Sequence, residues 1–219
     1  MHYRHLPNRG ARPPAVLVGG SFVEDDERGR ALSFNGEEHQ ALWLIRRDDT
    51  VMNREGHANQ TISLWFKADD AEGRQVIYAQ GFEHNGFNIY LDGGTLYAGS
   101  WSPGGSMDHA GWFPIWGRGF AGHWLEAAIT PGQWHSVSLV LEDAGDQVED
   151  DRLHLYLDGE WVASGPGVRI PRQYGPPRLG RAPIGGALLS RFHDGASSAD
   201  LFRGRISDFQ FILDAVRPD

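Results

Sequence analysis

Cysteine is missing from all 219 residues, which excludes a disulfide framework, a cysteine-ligated zinc site and a thiol nucleophile. Positive charge is in short supply: 20 Lys and Arg stand against 29 Asp and Glu, for a formal net charge of −9. Nucleic-acid binding needs a concentrated basic surface, so this balance argues against a polyanion as the main partner. Long apolar runs are lacking as well; none approaches the roughly 20 residues that a membrane-crossing helix requires. The first residues, Met1-His2-Tyr3-Arg4-His5-Leu6-Pro7, have no apolar stretch of the signal-peptide kind. That leaves either a cytoplasmic protein or a piece of a larger exported chain. Helical periodicity is scarce: residues 187–191 (ALLSR) have room for one turn between Gly185-Gly186 and Gly195.

What is present is turn chemistry and alternation. Glycine contributes 29 residues and proline 12, and hydrophobic residues make up 40%, a composition that folds around a core through many short strands. Residues 1–30 read as a polar N-terminal arm with an edge strand at 15–18 and the acidic run Glu24-Asp25-Asp26-Glu27. Residues 31–34 and 40–44 flank Asn35-Gly36-Glu37-Glu38 and are expected to pair as a hairpin. From Thr61, Ile62, Leu64 and Phe66 point one way and Thr61, Ser63, Trp65 and Lys67 the other. Strands are expected at 75–79, 87–91, 95–99, 134–142, 153–157, 160–163 and 203–211, with Asp92-Gly93-Gly94 and Asp158-Gly159 as hairpin turns. This rhythm implies an all-β, two-sheet antiparallel sandwich or jelly roll. It is interrupted at 101–124 and 164–200, and long interruptions of this sort are usually functional.

The pieces ALSFNG (31–36), TISLWFKAD (61–69), GFNIYLDGGTLYAG (86–99), ITPGQWHSVSLVLE (129–142), LHLYLDGEWVASG (153–165) and FRGRISDFQFI (202–212) resemble, in order and spacing, the laminin-G-like domains of the concanavalin A-like jelly-roll superfamily, the bacterial type in particular. The resemblance divides the chain into the arm at 1–30, a jelly-roll domain at 31–213 and a tail at 214–219. It also implies a non-catalytic module of a larger secreted or cell-surface bacterial protein that binds a glycan or a cell-surface protein. The alternatives are a structural or protein-adhesion spacer contacting neighbouring domains of the same chain, and a glycan lyase or hydrolase.

The residues favour binding over catalysis. Glycoside hydrolysis needs two facing carboxylates at a fixed separation, and no E-x-D-x-x-E pattern places acids side by side on one strand. The clusters at Glu24–Glu27, Asp69-Asp70 and Glu149-Asp150-Asp151 fall at turns or in the arm. Nucleophile, phosphate-loop and metalloprotease motifs are missing. The 10 histidines are scattered, and His135, beside Trp134 at a strand start, reads as structural. The sharper candidate is the insertion WSPGGSMDHAGWFPIWGRGFAGHW, with Trp101, Trp112, Trp116 and Trp124 beside Asp108, His109 and Arg118. Its rings either pack down as local core or stand exposed, where an indole takes the apolar face of a sugar and the polar groups take its hydroxyls. Related modules often carry calcium, one ligand coming from an I-D-D motif that stands here as Ile206-Ser207-Asp208. Asn35, Glu37 and Glu38 in the first link would complete such an oxygen set, with Asn35, Glu38 and Asp208 as the expected ligands.

Overall fold

In the computed structural model, which describes residues 16–37, 40–43, 56–81, 85–103, 113–115, 120–171, 177–181 and 200–218, alternation at period two produces two antiparallel sheets. The first has the order β1 (Val16–Val18), β4 (Ala41–Trp43), β14 (Arg178–Leu179), β6 (Arg74–Gly81), β7 (Gly86–Asp92), β8 (Thr95–Pro103), β10 (Phe120–Ala128) and β9 (Phe113–Ile115). The second runs β13 (Glu160–Gly167), β12 (Glu149–Leu157), β11 (His135–Leu141), β5 (Gln60–Ala68), β15 (Arg203–Ile212), β3 (Gly29–Asn35) and β2 (Ser21–Asp25). No α-helix occurs among the described residues, and the expected all-β sandwich of the jelly-roll kind stands.

The core lies between the sheets. Ile62, Leu64 and Phe66 of β5 are fully buried, as are Phe87, Ile89 and Leu91 of β7. Each contributes about 1.5–3 kcal/mol by leaving water. In β15 the register slips between Ser207 and Gln210 relative to β5, and Asp208 takes φ +50°. This bulge brings Phe209 into the core, where it stacks on Tyr78 at 5.6 Å. The turns at Gly93-Gly94 and Asp158-Gly159 both use two consecutive positive φ angles, 57° and 84° then 54° and 84°, the geometry that a two-residue hairpin needs.

Several details differ from the sequence reading. Residues 31–34 and 41–43 do not form a hairpin: β3 belongs to the seven-stranded sheet and β4 to the eight-stranded one. The Asn35–Gln40 link changes sheets, so Phe34 and Leu42 enter one core from opposite sides. Gln40 fastens this corner, its Oε1 accepting from the Asn35 N–H at 2.6 Å and its Nε2 donating to the Gly19 carbonyl at 3.2 Å. The expected arm contains β2, paired with β3 along its whole length. Residues 120–124, the end of the interruption expected at 101–124, belong to β10, paired with β8 from Phe120↔Pro103 to Ala128↔Thr95. The turn expected at 187–191 lies outside the described residues.

One polar network crosses the core. The Gln60 and Gln80 side-chain amides bond each other reciprocally at 3.0 and 3.3 Å, and the Tyr78 hydroxyl donates to Gln80 Oε1 at 2.7 Å. All three residues are fully buried, and burial pushes the Tyr78 phenol well above its ordinary value. A buried polar group left without a partner costs about 1–3 kcal/mol. Gln80→Ala is therefore expected to lower the unfolding free energy in urea by at least that amount, whereas Gln60→Leu with Gln80→Leu should cost less than the single change. A double variant worse than Gln80→Ala would contradict the network's role.

Candidate functional site

The outward positions of the eight-stranded sheet carry an aromatic and polar layer at the root of the 101–124 insertion. Cross-strand register places Trp124, Gly99, Asn88, Ala79 and Arg178 in one row. The next row holds Glu126, Tyr97, Tyr90 and Val76. Trp101 and Trp124 stack at 6.4 Å with 14° between their planes, and Tyr90 stacks on Tyr97 at 5.1 Å. Small residues make room for the indoles. A Cβ on Gly99 would stand 2.5 Å from Trp124 Cδ1, and one on Gly86 would stand 2.4 Å from Trp101 Cζ2. The Trp124 Nε1–H donates to Asn88 Oδ1 at 2.7 Å, so its polar edge is satisfied inside the layer. Burial, with the neighbouring Arg181 charge, pulls the Arg178 guanidinium down to about 10.

Trp101 and Trp124 are 1% and 4% exposed. Of the two alternatives for the insertion's rings, these two follow the local-core one: they lie in β8 and β10 and offer no ring face to a ligand. Asp108, His109, Trp112, Trp116 and Arg118 lie outside the described residues. Sequence reasoning passed over Asn88, Tyr90, Tyr97 and Arg178. The first three were legible from the pleat, because they alternate with Phe87, Ile89, Leu91, Leu96 and Ala98, which face the core.

Two of the three expected calcium ligands, Asn35 and Asp208, lie apart. Asn35 sits opposite Arg203, while Asp208 lies five residues further along β15, about 16 Å at the rise of a strand. A cation already stands at each place. Arg28 Nη2 donates to Asp208 Oδ2 at 2.6 Å, and Arg203, opposite Asn35, clasps Asp70 through bonds of 3.0 and 2.8 Å. Asn35 Oδ1 accepts from the Glu37 N–H at 3.2 Å. Glu38 lies outside the described residues. The described donors therefore do not fit a calcium ion, and among the described residues no group of three or more acids or histidines is placed to hold a metal.

Acids instead lock the seven-stranded sheet. Asp25 Oδ1 accepts from the backbone N–H groups of Glu27 and Arg28, at 3.0 and 3.1 Å, and from the Trp134 indole at 3.1 Å; Oδ2 accepts from Arg205. Burial acts to raise this carboxyl, but the bonds from Arg205, the two backbone amides and Trp134 outweigh it and hold it at about 2. His135 places Nδ1 2.8 Å from Asp158 Oδ2, and the Ser136 N–H donates to Asp158 Oδ1 at 2.8 Å. The GQWHS and LDGEW motifs thus brace each other across β11 and β12. Its Nε2 lies 3.2 Å from the Thr130 nitrogen and 3.1 Å from the Thr130 carbonyl oxygen. No hydroxyl or thiol nucleophile completes this pair among these contacts, in keeping with a structural His135.

On the outward face of that sheet, register lines up Trp161, Tyr156, Ser138, Ser63 and Gln210. Trp65 sits in the adjoining row between Ser136 and Ser207, with the Arg28 guanidinium 3.8 Å from its ring centroid. Trp161 is 60% exposed.

Comparison with known proteins fits this architecture. Residues 48–218 match the model of a family described as the concanavalin A-like lectin/glucanases superfamily. Among solved structures, the binding domain of Paraclostridial Mosquitocidal Protein 1 is similar at TM-score 0.62 and 12% identity, over 93% of this chain and 45% of that one. The binding domain of botulinum neurotoxin serotype G is similar at TM-score 0.60 and 8% identity, over 93% of this chain and 44% of that one. Domain 4 of a GH43 extracellular arabinanase from Geobacillus stearothermophilus, in complex with arabinotriose, is similar at TM-score 0.57 and 14% identity, over 94% and 84% of the two chains. At these identities the likeness is one of fold, and this chain spans less than half the length of the first two. No curated protein matches the sequence.

The Asp25 node generates a pH prediction. Its folded-state value of about 2 lies below the 3.8 of an ordinary aspartate. The stability it supplies is therefore complete above about 4 and is lost as pH falls through about 2. Asp25→Asn removes the charge-assisted bonds and is expected to cost about 1–3 kcal/mol at neutral pH, and to flatten part of the acid-side loss between pH 4 and 2. Urea unfolding across that range checks this; parallel curves for parent and variant would contradict it.

Proposed function

The chain belongs to the concanavalin A-like lectin/glucanases superfamily, and from that membership we propose that it is a non-catalytic module that binds a glycan or another surface ligand. The observation that carries this reading is the ordered aromatic layer of the eight-stranded sheet. Trp101–Trp124 and Tyr90–Tyr97 form two stacked pairs, and Asn88 of β7 accepts from the Trp124 indole of β10 across β8. A layer packed in this way gives the segment between β8 and β10 a rigid base. That segment carries Trp112 and Trp116 with Asp108, His109 and Arg118, a set able to combine ring stacking with hydroxyl recognition.

The disposition of acids supports binding over hydrolysis. Asp25, Asp70, Asp158 and Asp208 are committed to arginine, histidine or backbone partners that hold strands together. A general acid or nucleophile must instead face the scissile bond with a second carboxyl opposite it. The arabinotriose-bound arabinanase domain lends support, being a sugar-bound domain of the same fold. A place in a larger secreted or cell-surface protein accords with the domains of this fold that belong to longer chains. No helix among the described residues is long and apolar enough to cross a membrane.

Affinity electrophoresis in polysaccharide-containing gels tests the proposal. The parent should be retarded by at least one polymer, and Trp112→Ala or Trp116→Ala should weaken that binding about tenfold, the worth of a stacked ring. Reducing ends or unsaturated products should not accumulate on the same polymers. Product release would move the assignment to an enzyme, and unchanged binding in both variants would remove the insertion from the site.

A further inference from the structure

We propose that the segment following β15, residues 214–217, is an acid-operated strap, clasped at neutral pH against the outward face of the seven-stranded sheet and released when His154 takes up a proton. The chain leaves β15 at Ile212, which pairs with Thr61 of β5, and bends at 213–214. The Thr61 hydroxyl then holds it twice, donating to the Asp214 carbonyl at 2.8 Å and accepting from the Val216 N–H at 2.9 Å. Arg217 reaches Glu142, just beyond β11, and its Nη2 donates to Glu142 Oε2.

The strap lies against a row of outward residues that is closed to water. Register aligns Thr61, Val140 and His154, whose pleat neighbours Ile62, Leu139 and Leu153 face the core, yet the three are buried as well. His154 Nε2 lies 3.4 Å from Glu142 Oε2, the oxygen that Arg217 holds, and its Nδ1 lies 3.8 Å from Asp151 Oδ1. A neutral imidazole has one N–H and can serve only one of these carboxylates, whereas the imidazolium donates from both nitrogens. Protonation therefore brings a second cation to the oxygen that anchors the strap and sets a like charge beside Arg217.

The surrounding groups set the direction of the switch. Burial is the largest influence on His154; with Arg217 on the strap and Arg152 on β12 it outweighs Asp151 and Glu142 and holds the imidazole below the ordinary 6.5 of histidine. Tyr156 shares its face of β12, β11 offers Ser138 and Val140, β13 brings Ser164 and β5 brings Thr61, none of them charged at neutral pH. The strap's own acid, Asp214, accepts from the Ala215 N–H. Release removes Arg217 and opens the row to water, so the released form binds the proton more readily than the clasped one. The clasp is thus complete above about 6.5 and is lost as pH falls through the lower, clasped value. With one proton taken up, the ratio of released to clasped chains rises at most about tenfold per pH unit. Glu142 and Arg217 are 30% and 55% exposed, and an ion pair so open to solvent is a weak latch, within reach of a single protonation.

NMR of the isotope-labelled full chain between about pH 7.5 and about pH 5 tests the switch. The heteronuclear NOE of the Val216 and Arg217 amides is expected to fall from ordered to mobile values along the same curve as the His154 imidazole shift, while Leu64 and Ile89 stay unmoved. His154→Gln should keep both amides ordered over the whole range. Arg217→Gln, a change at an exposed side chain, should leave the segment mobile at every pH and raise the His154 midpoint towards 6.5. Order that persists through the His154 titration overturns the strap, and so does a loss of order in His154→Gln at the parent's midpoint. Should His154→Gln not fold, a His154 midpoint in Arg217→Gln equal to the parent's overturns the proposal by itself.

Discussion

The two-residue period of β5 is the constraint on which the rest depends. Ile62, Leu64 and Phe66 must all reach the interior, and once they do, Ser63, Trp65 and Lys67 have no choice but to face outward. Because β5 pairs with β11 on one side and β15 on the other, its phase is imposed on both neighbours and through them on β12 and β13. A slip of one residue would exchange the core for the outer surface along the whole sheet. The seal of the sandwich and the row from Trp161 to Gln210 are therefore two consequences of one register.

Polar side chains then fix what hydrophobic burial leaves loose. Burial is non-directional, and it does not by itself choose between neighbouring registers or corner geometries. The Gln60–Gln80 pair ties β5 to β6 across the interior, Gln40 closes the corner between sheets, and Asp25 joins β2 to β15 and to the start of β11. His135 and Asp158 connect the strand start at Gln133-Trp134 to the hairpin that follows β12. These partnerships account for the motifs that carry the family resemblance. Among the described residues, Asp25, Asp70, Asp158 and Asp208 are all engaged in such structural contacts.

Much of this was legible in the sequence because alternation and glycine turns are local signals. β5, β7, β8, β11, β12, β13 and β15 fell where the pattern put them, and so did the turns at Gly93-Gly94 and Asp158-Gly159. The failures were non-local. Asn35-Gly36 announces a turn, but not that the chain leaves one sheet for the other. β10 was hidden because Phe120, Gly122, His123 and Trp124 break any hydrophobic alternation, and Gly122 is intelligible only once the Trp124 ring is seen lying across it. Asn35 and Asp208 of the calcium set lie on adjoining strands, and what the sequence does not announce is their offset along β15 or the bond that Arg28 makes to Asp208. At the candidate site, the outward residues of β7 and β8 could have been read from the same pleat that exposed the core, had the polar half of the pattern been given equal weight.

The most direct test of a glycan-binding module that recognises its ligand through the segment between β8 and β10 is an amide and indole NMR titration with an oligosaccharide taken from a polymer that retards the protein. The account predicts saturable shifts of the Trp112 and Trp116 indole N–H resonances, with core residues such as Leu64 and Ile89 unmoved. Shifts confined to other surfaces, or none at concentrations that saturate binding, would contradict it.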